Sequence, residues 1–187
     1  MDSCPCRTGF LFLNNLMRML WEQHAAWTRM TTISIAEGLA DEELVTRRLL
    51  RNPADIAAVF RPLYGNEIAQ KLNDLITTHL VLAAQLVKES KAGDTAAAAE
   101  TERRWYANGE EIAAFLSSIN PYWSREEMTR MWREHLDLVK AQAVARLNKD
   151  YAADIAFYDE GEQLLLRMAD EFTAGLIRQF PCFYAAG

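Results

Sequence analysis

The sequence predicts an all-α protein: an antiparallel four-helix-type bundle, ferritin-like, with an additional helix and short connector helices. Three observations carry this prediction. Apolar residues recur at three- and four-residue spacing along nearly the whole chain, and apolar–polar alternation bounded by turn residues is almost absent. Glycine and proline, the usual punctuation of strand-rich chains, number 8 and 5 in 187 residues.

The first helix is expected over residues 10–38, with Leu13, Met17, Leu20, His24, Trp27, Thr31 and Ile35 on one stripe. Asp41 is placed to cap a short helix, "EELVTRRLLR". "NPAD" (52–55) interrupts it, and a second short helix, "DIAAVFRPLYG", closes at Gly65. A long helix follows from Asn66 to about Lys91, striped by Ile68, Leu72, Leu75, His79, Leu82 and Leu86. "AGD" (92–94) makes the next turn.

Residues 95–118 form the next helix, with Trp105, Asn108, Ile112 and Phe115 on one side. Pro121 ends it, and Ser124 with Glu127 supplies an S-x-x-E capping box for the helix over 125–149. That helix carries Met128, His135, Leu138, Gln142 and Ala145. The last runs over 151–180 with Ile155, Tyr158, Glu162, Leu165, Ala169, Phe172 and Leu176. "LNKDY" (147–151) holds neither glycine nor proline. A helix running unbroken through it is too long for so small a domain, so a tight turn or sharp kink is expected. Residues 10–181 then form one domain, between a flexible N-terminal tail (1–9) and a C-terminal tail (182–187).

A net charge of −6 argues against binding nucleic acid or an anionic membrane surface. No apolar run approaches the roughly 18 residues of a membrane span, and the expected location is the cytoplasm. Cys4, Cys6 and Cys182 are odd in number and sit at the chain ends, which fits tail thiols rather than a disulfide framework.

The three histidines stand near the midpoints of three predicted helices, Asn108 near that of a fourth, and Glu162 a little before that of the fifth. Mid-helix residues on the inner faces of an up-and-down bundle share one layer. Polar groups buried together must satisfy one another, hold an ion, or line a wet cavity, because an unpaired one costs about 1–3 kcal/mol. Imidazole with carboxylate is the donor set of zinc and the first-row transition metals. The candidate ligands are therefore His24, His79, His135 and Glu162, with Asn108, Tyr158 and Asp159 orienting or supporting them. Ring nitrogens within about 3–4 Å of one another would suit one ion, and rings more than about 8 Å apart would end the single-site reading. Iron, zinc and manganese are the candidate metals, with a metal ion or small ligand as the partner and a homodimer left open. The competing expectation is a non-catalytic structural or interaction protein whose buried histidines only make hydrogen bonds. Glu22 and Glu134, close to histidines in sequence, face other ways. The E-x-x-H repeat of diiron proteins, H-E-x-x-H, G-x-S-x-G and Walker A loops are absent, and no turnover is expected.

A weak internal echo joins the two halves. "LWEQH" and "MWREH" share W-x-x-H, and "HLVL" pairs with "HLDL".

The segments "LWEQHAAWTRM", "RLLRNPADIAAVFRPLYG", "HLVLAAQLVKESKAGD", "WYANGEEIAAFLSSINPYW" and "FYDEGEQLLLRMADEFTAGLIRQFP" resemble an uncharacterised family of small all-helical proteins. These come from Gram-positive, largely spore-forming bacteria. The resemblance covers about residues 16–181, and the pattern is also distantly similar to ferritin-like and hemerythrin-like bundles. It implies a helical bundle that holds metal by His and Glu or, on the competing expectation, a spore- or stress-associated structural or interaction protein. Gln142 stands where members of the family carry Glu. Some members carry the label acetylglutamate kinase, but this chain has no glycine-rich phosphate loop and no alternating strand–helix pattern to support it.

Overall fold

The computed structural model describes residues 5–185, and every regular element among them is helical. In chain order the elements are α1 (Pro5–Glu37), α2 (Glu42–Leu49), α3 (Asn52–Ala92), α4 (Thr95–Ile119), α5 (Arg125–Leu147), α6 (Tyr151–Gln179) and α7 (Pro181–Ala185). The helix expected from residue 10 already begins at Pro5, inside the expected tail, and α7 occupies part of the expected C-terminal tail. Residues 1–4, Cys4 among them, lie outside the described residues. Cys182 is exposed and free.

Strong local signals fix most boundaries. Asp94 and Asp150 cap α4 and α6 by accepting from the backbone N–H of Ala97 and Ala153, at 3.0 and 3.1 Å. Ser124 caps α5 by accepting from Glu127 N at 3.1 Å. The return half of that capping box does not form, because the Glu127 carboxylate is taken by Arg130. Asp41 stands at the start of α2 without capping it; its carboxylate accepts instead from the Ser34 hydroxyl at 2.9 Å, tying the loop to α1. The predicted break after Leu147 is a Schellman turn. Asp150 N donates to Ala145 O and Lys149 N to Arg146 O, with Lys149 left-handed at φ 61°. Gly93 makes the same turn after α3 at φ 74°.

The expected break at Gly65 is real, although hydrogen bonding carries α3 across it. Gly65 has φ 85° and ψ 176°, a conformation essentially reserved for glycine. It divides α3 into a short first arm, residues 52–64, and a second arm about twice as long, residues 66–92. Asn52 starts the first arm beside Leu20 and His24, and Tyr64 ends it hydrogen-bonded to Gln179 at the far end of α6. The second arm brings His79 back to within 6.4 Å of His24, ring centroid to ring centroid. Thus α3 is a chevron that folds back on itself.

The five long helices close a ring in the order α1, α3, α4, α5, α6 and back to α1. Five long helices surround the core. Arg29–Asp154 and Arg18–Asp170 set α6 antiparallel to α1. Lys140–Glu102 with Arg133–Glu110 do the same for α4 and α5. The second arm of α3 runs parallel to α1, bringing Lys91 Nζ to Ile35 O at 2.6 Å. The long connector makes this parallel pair, because α2 and the first arm carry the chain back down before the second arm rises.

Trp21, Trp105, Trp123 and Trp132 are all fully buried, so these four indoles are core anchors. Trp27 is half-buried under the Arg48 guanidinium, 4.9 Å from its ring centroid. Trp123 lies across α6 and donates Nε1 to Glu171 O at 3.1 Å. Only a glycine at 175 permits this, since a Cβ there would stand 2.0 Å from that nitrogen. Gly175→Ala is expected to destabilise the fold by about 3 kcal/mol through overpacking. Lys149→Gly, by contrast, should stabilise it by about 1 kcal/mol by relieving the left-handed strain. Urea unfolding of the two variants reads both effects.

Candidate metal centre

The three histidines come from the middles of three helices. His24 on α1, His79 on α3 and His135 on α5 are each 1% exposed. Their ring centroids stand 5.5, 5.7 and 6.4 Å apart. One potential ligand atom from each lies within 4.8 Å of the others. Helical phase explains the convergence. Each histidine occupies an apolar stripe, and the stripes face the axis of the ring.

Three indoles wall the cluster. Trp21 lies 5.4 Å from His24, Trp105 lies 5.4 Å from His79, and Trp132 packs edge-on to His79 and His135. Trp21 and Trp132 also meet each other at 6.1 Å. The W-x-x-H echo thus has a spatial meaning, with two Trp–His pairs from α1 and α5 packed against one another at the centre.

The environment is dry, and it holds the rings neutral. Burial pushes the His24 imidazolium pKa down to about 4 against a small opposing effect of its Asn52 hydrogen bond. Burial first, then repulsion from His24, pushes His79 down to about 3, and the neighbouring Asn108 amide resists slightly. His135 is lowered well below 6.5, by burial and then by the other two rings. Neutral imidazole is the form that ligates metals.

Asn52 fixes the tautomer of His24. Its Nδ2 donates to Leu20 O at 2.9 Å, which turns Oδ1 toward His24 Nδ1 at 3.0 Å. Nδ1 must therefore carry the proton, and Nε2 the lone pair. That Nε2 is buried with no hydrogen-bond partner, as are His79 Nδ1 and His135 Nδ1. The indole N–H groups of Trp21, Trp105 and Trp132 are likewise unpaired.

The remaining expected site residues are distributed less simply. Asn108 is buried next to His79; it donates to Leu75 O at 3.2 Å and leaves Oδ1 unpaired. Glu162 is half-buried and outside the triad. With Tyr158 it lines a cavity of about 20 Å³ whose inner wall is His24 and His135. Asp159 is exposed, in a surface groove between α5 and α6, and does not support the site. Its offset of three residues from Glu162 turns it toward α5's outer face. Glu22 faces away from His24, as expected, but it meets Glu162 across the α1–α6 seam. Its pKa is raised by burial, then by the Glu162 charge and a hydrogen bond shared with it. Tyr158 beside the pair is raised to about 12, by burial first and then by the two carboxylates.

Sequence reasoning missed Asn52 and Asp154. Asn52, fully buried, was read only as part of a helix break. Asp154, equally buried, accepts from both Arg29 Nη atoms at 2.7 and 3.1 Å and from Gln142 Nε2 at 3.1 Å. It locks α1, α5 and α6 together just beyond the histidine layer. A neutral Gln142 suits this role, since it donates where a carboxylate would repel.

Comparison with protein-family models, curated proteins and solved structures finds no match for the chain.

The buried rings give the metal-free protein a defined pH response. Below pH 6.5 the histidines of the unfolded chain take up protons that the folded rings refuse. Stability is therefore lost as pH falls from about 6.5 toward 4, by about 1.4 kcal/mol per pH unit for each histidine involved. Glu22, whose raised pKa favours protonation in the fold, works in the opposite sense. His79→Gln is expected to flatten the slope by about one proton, read from urea unfolding between pH 6 and pH 5.

Proposed function

We propose that the protein is a helical-bundle metal-binding protein whose centre takes one transition-metal ion, zinc, iron or manganese, on His24, His79 and His135. The observation that carries this reading is the unpaired lone pair on His24 Nε2. The Asn52 relay directs it away from every protein donor, and two further neutral imidazoles stand within reach. Buried histidines that serve only packing ordinarily satisfy both ring nitrogens.

The donor set fits the ion in kind. Three neutral nitrogens leave a coordination position open, as at tri-histidine zinc sites. A tetrahedral ion with bonds of about 2.0–2.1 Å sets its nitrogens about 3.3 Å apart, so binding draws the rings inward. The 20 Å³ cavity beside His24 and His135 is large enough for one water-sized ligand. Glu162 and Tyr158, on its far side, would face that ligand rather than the metal. This shifts Glu162 from the ligand set to the outer wall. The ferritin-like relationship belongs to the same proposal and rests on inward-facing histidines at the middles of long bundle helices. No turnover is proposed.

A second reading keeps the cluster as a structural polar network in a non-catalytic structural or interaction protein. Its support is the His24–Asn52–Leu20 chain, which ties α1 to α3 without any ion.

Metal analysis of protein purified without an immobilised-metal step separates the two. About one equivalent of zinc, iron or manganese, bound as isolated or after addition, is the expected result. Less than about 0.2 equivalents with no uptake overturns the metal reading in favour of the structural one. Asn52→Ala should weaken the metal about 10–100-fold while sparing the three ligands, the usual effect of removing the group that orients a ligating histidine. Glu162→Gln should leave the stoichiometry unchanged.

A further inference from the structure

A second cavity, of about 260 Å³, lies beyond the histidine layer toward the end of the bundle where α1 and α3 finish. Its walls are apolar and small. Ile35, Leu80, Ala84, Val87, Ala98 and Ala143 contribute from four helices, and Trp105 separates it from His79. The alanines make the space, because larger side chains there would fill it.

Two hydroxyls in this apolar surround have no partner. Thr28 and Thr31 on α1 are 9% and 2% exposed, line the cavity, and leave Oγ1 without a hydrogen bond. A threonine inside a helix ordinarily returns its hydroxyl to the carbonyl four residues back. Thr78 and Thr173 do so here, to Asp74 O at 2.9 Å and Ala169 O at 2.8 Å. Thr28 and Thr31 do not. At the rim, Lys140 and Glu102 are paired at 2.5 Å, so the cation among the described lining residues is already neutralised.

We infer that this cavity is a binding site for a neutral, largely apolar small molecule carrying one hydroxyl or carbonyl, its polar end on Thr28 and Thr31. Its size sets the ligand's size. An apolar cavity of 150 Å³ takes a benzene ring, so 260 Å³ takes about ten heavy atoms. The site is independent of the metal reading, and its chemistry needs only the apolar walls and the two hydroxyls.

Titration of metal-free protein with 1-alkanols from butanol to dodecanol, followed by calorimetry and tryptophan fluorescence, tests this. Affinity is expected to rise about fourfold per methylene and to level off near nonanol, where the cavity is full. Thr28→Val with Thr31→Val should weaken 1-octanol about fivefold and leave naphthalene binding unchanged. Ala84→Phe and Ala98→Phe each fill the space and should abolish binding with the helical circular dichroism retained. Non-saturable binding of every alkanol overturns the proposal, as does a rise in affinity that continues through dodecanol. Octanoate binding as tightly as 1-octanol overturns the neutral class. The zinc stoichiometry of the same preparation is read separately, so loss of either site is seen apart from the other.

Discussion

The side chain of Asn52 holds the centre of the molecule in register. It is fully buried, and its amide is used at both ends, donating to Leu20 O and accepting at His24. Through it the start of the α3 chevron is fastened to the middle of α1. The second arm can then bring His79 to the same level. Without that anchor the two arms meeting at Gly65 have no reason to close at this height. The orientation of His24 would also be lost, since the Asn52 contact is its one side-chain hydrogen bond among the described residues.

Around that anchor the core is built on a compromise between burial and polarity. Three imidazoles and three indoles are sealed from water, and several of their nitrogens find no partner. Each such atom costs about 1–3 kcal/mol. The apolar layers on either side offset this cost, with Met17, Ile76, Ile112, Leu136 and Met168 all almost fully buried. The Asp154 lock adds charge-assisted contacts from Arg29 and Gln142, and it closes the seam among α1, α5 and α6. A cluster that is expensive for the fold and surrounded by well-made contacts is the pattern expected of a site kept for use rather than for stability.

Much of the fold was legible because its signals are local. Helical phase placed His24, His79 and His135 on inner faces, and Asp94, Ser124 and the glycines at 65 and 93 marked the turns. Lys149 hid its turn, since a left-handed lysine leaves no glycine to see, and only helix length betrayed it. The five long helices and the break at Gly65 were legible too, but the continuity of hydrogen bonding across that break was not. At the site, residues that act across the chain stayed hidden. Asn52 meets His24 from 28 positions away, and Asp154 meets Arg29 from 125. Glu162 was placed on the correct face, but its depth depends on side-chain packing. There it meets Glu22 instead of an imidazole, a pairing no spacing rule shows.

The parallel run of α1 and the second arm of α3 has an electrostatic consequence. Helix dipoles that point the same way leave two negative ends side by side, where antiparallel neighbours would cancel. Lys91 stands in the last turn of α3 and reaches over to the terminal carbonyl of Ile35 on α1. One ammonium therefore neutralises both ends. The like-sign pairing that the connector imposes is tolerated through a single cation, which acts as the counter-charge of two helices at once.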